Sequence, residues 1–293
     1  MEKPWRGSAP SRRAPIEGSD ASLRCRGQGD RDAKRPRSGG KTHRRESADG
    51  RTAMMWESAH MRGGLGRVVV LPIKNERYSD VIAYLQSWDG RARELVVVAD
   101  CKPLVKQALE GCRFPGGLRI WYVEQDHIRY RGLSGAYEQG VVFALTLPMA
   151  EWIITVDCGT WQPSQITAAL DATVSERAWF GVRPLTGGRS RLKLFLTQFG
   201  GALIRRRTGV GIIDPTCGYR AYAAETLREI DFAANGVPNR LYHAKLAVQV
   251  QCVVALAYIG EFLCTHRPTP SKMRLRDAVT ALWYVLRGGL GHV

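Results

Sequence analysis

No CxxC pair and no Cys/His cluster with zinc-like spacing occurs in the 293-residue sequence, although it holds seven cysteines, at positions 25, 101, 112, 158, 217, 252 and 264. An odd number cannot pair off within one chain, so a disulfide scaffold is excluded and reduced thiols in a cytoplasmic protein are expected. Long apolar runs are missing too. The longest stretch without a charge, residues 246–260, has 15 residues and includes Gln249 and Gln251, too short and too polar to cross a bilayer. The basic N-terminus has no apolar segment behind it, which argues against a secretory signal.

Acidic residues are scarce: 27 Asp and Glu stand against 43 Lys and Arg, a formal net charge of +16. The imbalance is uneven. Residues 1–62 hold 15 basic against 8 acidic residues, leaving 28 against 19 for the rest. This Arg-, Ser-, Gly- and Pro-rich segment has almost no Val, Ile, Leu or Phe and cannot bury enough apolar surface to offset its chain entropy, so disorder is expected. It reads as a solvated extension, or as translated sequence upstream of a start at Met54, Met55 or Met61. An arm for nucleic acid or an anionic surface is the other reading of such a run, although no nucleic-acid partner is expected. The string Ser38-Gly39-Gly40-Lys41-Thr42 is no phosphate loop, because Arg35 stands where the first glycine belongs and no strand precedes it.

From Arg67 onward the chain changes character. Val68-Val69-Val70-Leu71-Pro72 is a continuous apolar run typical of a strand covered on both faces. A helix follows, with Ser79 and Asp80 as capping candidates. Strands are then expected over 94–100, 118–123, 151–157 and 178–183, and helices over 103–112, 132–147, 163–174 and 192–206. Two further helical patterns start at 223 and run over 240–257, and an amphipathic segment occupies 276–286. Alternating strands and helices imply an α/β fold with a mostly parallel sheet. The organisation is a tail over 1–62, one domain over 63–275 and an amphipathic C-terminal helix over 276–293.

In a parallel sheet the carboxyl ends of the strands face one crevice, where ligands bind. Asn75 and Glu76 follow the first strand, Asp100 ends the second, and Asp157 ends the strand that contains Trp152. Each alone is a common turn or cap residue. Three such groups at one edge, joined by a Gly-rich turn, point to a nucleotide site. His127, His243 and His266 stand isolated and read as structural.

The order of these pieces resembles family 2 glycosyltransferases of the GT-A fold. Pro72-Ile73-Lys74-Asn75-Glu76 is similar to that family's Pro-x-x-Asn-Glu opening, and Val97-Val98-Ala99-Asp100 to its Val-Val-Asp-Asp segment. Gly132-Leu133-Ser134-Gly135-Ala136-Tyr137 resembles its Gly-Leu-Gly-x-Ala-Tyr turn, and Asp157-Cys158-Gly159 takes the place of its Asp-x-Asp strand end. Gly181-Val182-Arg183, Asp214-Pro215-Thr216-Cys217-Gly218-Tyr219-Arg220-Ala221-Tyr222 and the run from Arg267 to Lys272 resemble the polyprenol-phosphate, dolichol-phosphate mannosyltransferase branch.

The resemblance implies transfer of a sugar, with inversion, from a nucleoside-diphosphate sugar to a polyprenyl phosphate or glycan. It implies donor contacts at Pro72, Asn75, Glu76, Asp100, Gly132 and Gly135, and a catalytic group of Asp157, Arg183 and Arg220. Lys193, Asp214, Arg267 and Lys272 fall at acceptor or phosphate positions. Mg²⁺ or Mn²⁺ would sit on Asp157, with Gly159 in place of the usual second carboxylate. A polyprenyl phosphate is already anionic and asks for no strong base, which suits a chain with cations but no carboxylate at a base position. Its use implies peripheral contact with the membrane, for which 282–286 with Arg287 is the candidate. The alternative, motivated by Ala99 and Gly159, is a degenerate, non-catalytic domain that binds a nucleotide sugar or a partner.

Overall fold

The computed structural model describes residues 66–74, 76–99, 106, 107, 109, 112–158, 162–172, 175–184, 191–230, 237, 238, 241–265 and 275–293, and for 191–197, 275 and 276 the backbone alone. The basic tail, Asn75, Asp100, Arg267, Lys272 and the side chain of Lys193 lie outside the described residues.

Seven strands form one sheet: β1 (Arg67–Ile73), β2 (Glu94–Ala99), β3 (Arg119–Glu124), β4 (Trp152–Thr155), β5 (Ala178–Val182), β6 (Arg220–Ala223) and β7 (Ile259–Leu263). Their order is β3-β2-β1-β4-β6-β5-β7. Pairing is parallel except for β6, which runs antiparallel to both β4 and β5. The helices are α1 (Tyr78–Gln86), α2 (Gly132–Thr146), α3 (Pro163–Ala172), α4 (Arg191–Thr208), α5 (Ala224–Arg228), α6 (Tyr242–Val253) and α7 (Leu275–Leu286).

β1 and β2 are buried along their whole length, as their unbroken apolar runs require. Successive residues serve opposite faces: Val68 and Val70 pack with α2 and α6, whereas Val69 and Leu71 pack with α1 and α3. Helix α2 crosses β1 and β2 closely because residue 140 is glycine. A Cβ there would come within 2.5 Å of Val70 Cγ1 and 2.9 Å of Val98 Cγ2.

Apart from the helix over 103–112, the expected elements are present with shifted ends. The strand that leads to Asp157 stops at Thr155, and α1 starts at Tyr78 behind Arg77 with no side-chain cap, so neither Ser79 nor Asp80 caps it. Asp80 instead places a carboxylate in the first turn, where the helix dipole favours it. The helix expected over 103–112 lies largely outside the described residues. Strands β6 and β7 were not anticipated. The C-terminal helix belongs to the domain, since Val285 and the following Leu290 are buried in the core that holds α6.

The connections place the crevice. The chain steps from β1 outward through β2 to β3 and returns across β1 to β4, so the direction of winding reverses between β1 and β4. Ligands bind at the carboxyl ends beside such a reversal. Asp157 lies two residues beyond β4, at this point.

Candidate functional site

Antiparallel β6 brings a second motif to the same edge. Its first residue, Arg220, pairs with Thr155 at the end of β4, so the segment that enters β6, residues 214–219, arrives where the neighbouring strands leave. Thr155 Oγ1 donates to the Gly218 carbonyl at 2.9 Å and ties that segment to β4. The start of α6 lies against it as well, through His243.

Asp157 is partly exposed, and its Oδ1 accepts a hydrogen bond from Tyr137 Oη at 2.7 Å. The same hydroxyl is 3.0 Å from the Val156 carbonyl. Tyr137 belongs to α2 and stacks on Tyr242 at 5.8 Å between ring centroids, with His243 edge-on at 4.7 Å. Burial and the adjacent Asp157 raise the Tyr137 phenol well above its ordinary range, so it stays a donor to the carboxylate. Burial, then the charge of Arg220, holds His243 well below the usual imidazole range and therefore neutral. Cys158, beside Asp157, has its thiol pushed up to about 12 by burial and by Glu76, Asp80 and Asp157, so it is no thiolate nucleophile at neutral pH.

Arg183, just past β5, meets Asp214 in a two-armed ion pair: Nε to Oδ2 and Nη2 to Oδ1, both 2.7 Å. Nη2 also bonds Thr216 Oγ1. Burial works against both charges, but Arg183 overcomes it and holds Asp214 at about 2, while Asp214 raises Arg183 in turn. The pair fixes the 214–216 turn to the end of β5, with Arg183 partly exposed.

Arg220 has a different role from the one its motif suggested. It is wholly buried, and its guanidinium donates to the carbonyls of Cys217, Pro215 and His243, each at 2.5 Å. The Tyr222 hydroxyl is 3.3 Å away, and the Phe180 ring lies beneath at 4.7 Å. With its donors spent on main chain, Arg220 braces the 215–217 turn against α6 and does not present its charge to a phosphate.

The two motif glycines also have backbone reasons. Gly132 opens α2 with φ +64°, and a Cβ on Gly135 would strike the Tyr130 backbone, 2.7 Å from its Cα. Pro72 is buried in β1, and Glu76 is exposed just beyond it, with Oε2 accepting from the Lys74 amide at 2.5 Å. The structure thus gathers Asp157, Tyr137, His243, Gly218 and the Arg183–Asp214 pair at one edge. Tyr137 was within the quoted turn motif without a role, and His243 had no signal in sequence.

Among the described residues no three His, Cys, Asp or Glu side chains gather as a metal site. A carboxylate has about four lone-pair positions, of which Tyr137 takes one, and Mg²⁺ is commonly held by one or two carboxylates plus substrate phosphates. Asp157 therefore fits a divalent ion completed by a diphosphate.

No protein-family model matches the chain. It is 28% identical over 176 residues to the undecaprenyl-phosphate mannosyltransferase of Micrococcus luteus, covering 57% of this chain and 70% of that protein. It is 32% identical over 117 residues to the polyprenol monophosphomannose synthase of Mycolicibacterium smegmatis, covering 37% and 44%. In three dimensions it resembles M. tuberculosis glucosyl-3-phosphoglycerate synthase, with TM-score 0.55, 17% identity and coverage of 80% of this chain and 83% of that one. Mannosyl-3-phosphoglycerate synthase from Rubrobacter xylanophilus aligns with TM-score 0.56, 15% identity and coverage of 76% and 73%. The chain has the GT-A fold of these glycosyltransferases, and its sequence is similar to those of the undecaprenyl-phosphate mannosyltransferase and the polyprenol monophosphomannose synthase.

Proposed function

We propose that the chain transfers a sugar from a nucleoside diphosphate to a polyprenyl phosphate, with inversion, in the crevice at the carboxyl ends of β1, β2 and β4. The observation that carries this is Asp157, placed at the winding reversal and oriented by Tyr137. The relatives' own acceptors, undecaprenyl and polyprenol phosphate by name, support the choice of acceptor.

Each candidate group has a task in that reaction. Asp157, together with the donor diphosphate, would hold a divalent ion, which would supply positive charge against the departing nucleoside diphosphate. Arg183 attracts phosphate while Asp214 and Thr216 hold it still. Asn75, Glu76 and Asp100 contact the nucleoside, and Lys193, Arg267 and Lys272 meet the acceptor phosphate. The phosphate oxygen of the acceptor is already anionic and attacks the sugar carbon directly. No general base is needed, consistent with a neutral His243, and the high thiol of Cys158 offers no covalent detour, consistent with a single displacement and inversion.

No described helix is long and apolar enough to cross a membrane. The face of α7 that carries Val279, Leu282, Trp283 and Leu286 is exposed, and the Arg287 guanidinium covers the Trp283 ring at 4.6 Å. Helix α4 ends in Arg205, Arg206 and Arg207. An apolar face accompanied by arginines suits an anionic lipid surface, where the acceptor resides.

The test is titration of the full chain with guanosine and uridine diphosphates and their mannose and glucose conjugates, with and without Mg²⁺, followed by transfer assays to polyprenyl phosphate. Metal-dependent stabilisation by one nucleotide class and transfer abolished in Asp157→Asn is the expected result, because selective binding raises stability by mass action. Binding without turnover would favour the degenerate domain that Ala99 and Gly159 suggest.

A further inference from the structure

Residues 210–213 alternate between core and solvent. Val210 and Ile212 are buried, whereas Gly211 and Ile213 face outward, and Ile213 is 58% exposed. The outward positions of such a segment ordinarily carry polar side chains. The exposure is not the slack of a loose loop either. The Ile213 amide donates to Glu261 Oε1 at 2.6 Å, its carbonyl accepts from Arg205 Nη1 at 2.5 Å, and the Gly211 amide donates to Gln251 Oε1 at 2.7 Å. Side chains from β7, α4 and α6 thus fix the main chain around an aliphatic group that the domain does not bury.

Leu263, the last residue of β7, is a second such group, 70% exposed. Successive side chains of a strand alternate, so Leu263 shares the face of Glu261, the side chain that reaches Ile213. Phe262 serves the other face and meets the Tyr219 ring edge-on at 5.2 Å between centroids. Both aliphatic residues adjoin one ion pair. Ile213 precedes Asp214 in the chain, and Leu263 pairs in register with Val182, the residue before Arg183. A single exposed leucine needs no explanation. One aliphatic side chain beside each partner of a partly exposed Arg183–Asp214 pair suits a molecule that is anionic at one end and aliphatic directly behind it. A soluble phosphorylated acid, polar throughout, would gain nothing from Ile213 and Leu263.

We propose that Ile213 and Leu263 receive the first isoprene units of an acceptor whose phosphate lies at Arg183, which makes them specificity-determining residues for the lipid part of the acceptor. This rests on the reading of the chain as a polyprenyl-phosphate glycosyltransferase. Glu261 and Arg205 serve the contact indirectly, by holding the Ile213 main chain so that its side chain meets the lipid without first being ordered. The choice between a lipid-linked and a soluble phosphate then follows from apolar area that only the former covers.

The experiment measures sugar transfer by the full chain, from GDP-mannose or UDP-glucose, whichever it uses, to geranyl, farnesyl and geranylgeranyl phosphate and to 3-phosphoglycerate. Wild type is compared with Ile213→Ser, Leu263→Ser and Ile213→Leu. Both side chains are exposed, so the melting transitions should match wild type. Ile213→Ser and Leu263→Ser are each expected to raise KM for farnesyl phosphate about tenfold, to leave KM for the donor unchanged and to flatten the gain from geranyl to farnesyl phosphate. Ile213→Leu, which keeps the apolar area, should stay close to wild type. An unchanged KM for all three lipid phosphates in both serine variants, or an equal rise in the KM of donor and acceptor, would overturn the lipid contact while polyprenyl-phosphate transfer stood. Wild type that transfers to 3-phosphoglycerate and to none of the lipid phosphates would instead overturn the parent reading, and the contact with it.

Discussion

Arg183 and Asp214, 31 residues apart, grip each other through two hydrogen bonds of 2.7 Å, one from Nε and one from Nη2. The geometry is the planar fork that arginine alone provides, and it joins the end of β5 to the turn that enters β6. Because the pair is largely buried, removing one partner strands the other. Asp214→Ala should destabilise the chain by about 3 kcal/mol at pH 7 in urea or thermal melts, and Arg183→Lys, which keeps the charge but loses the fork, should cost part of that amount.

The same pair sets an acid limit. Asp214 is held at about 2 in the folded chain, against about 4 when unfolded. A depressed carboxylate contributes stability that is fully present above its unfolded value and is lost as pH falls through its folded value. Melts of wild type should therefore lose about 2 kcal/mol between pH 4 and pH 2 beyond the loss seen for Asp214→Asn. Parallel curves for the two proteins over that range would show that Asp214 is not responsible.

Arg220 predicts a failure of folding, not of chemistry alone. Its three carbonyl partners, Pro215, Cys217 and His243, belong to two separate segments, and Phe180 closes the site from below. Arg220→Met should lower the melting transition strongly, by about 3 kcal/mol or more in stability, and Arg220→Lys should not restore it because an ammonium cannot reach three carbonyls in one plane. Normal melting with abolished sugar transfer would make Arg220 a substrate ligand instead.

These residues mark what the sequence carries openly and what it hides. The central strands were legible because Val68–Leu71 and Leu95–Val98 are continuous apolar runs, and the place of Asp157 followed from its position after such a run. Strand β6 was hidden because Arg-Ala-Tyr-Ala is four residues long and opens on a charge that only tertiary contacts can satisfy. With β6 unseen, the arrival of Asp214, Gly218 and His243 at the end of β4 was unseen as well. The burial of Arg220 was hidden for the same reason: a motif reports that an arginine is needed, and only the fold shows that its donors meet three carbonyls.

Tyr137 offers a direct check on the orientation of Asp157. Its hydroxyl is the one side-chain donor to Oδ1 among the described residues, and a bond to a charged acceptor is stronger than a neutral one. Tyr137→Phe keeps the stacking on Tyr242 and should lower sugar transfer about tenfold, whereas Asp157→Asn should lower it about a hundredfold. Initial rates at saturating donor measure both. If Tyr137→Phe is as damaging as Asp157→Asn, the phenol acts on substrate itself.

The exposed face of α7 leads to a prediction about the membrane. Val279, Leu282, Trp283 and Leu286 recur at helical spacing and stay exposed, although the same helix buries Val285 in the core. A helix that satisfies the domain with one face keeps the other for a second apolar phase. Vesicles containing phosphatidylglycerol should retain the chain in sedimentation, and Leu282→Glu with Trp283→Glu should release it without altering the melting transition. Replacing Arg206 and Arg207 by Gln should weaken retention more at low than at high salt, since attraction to anionic lipid is screened within a Debye length. Retention that ignores both changes would assign membrane contact to another surface and leave α7 a solvent-facing helix.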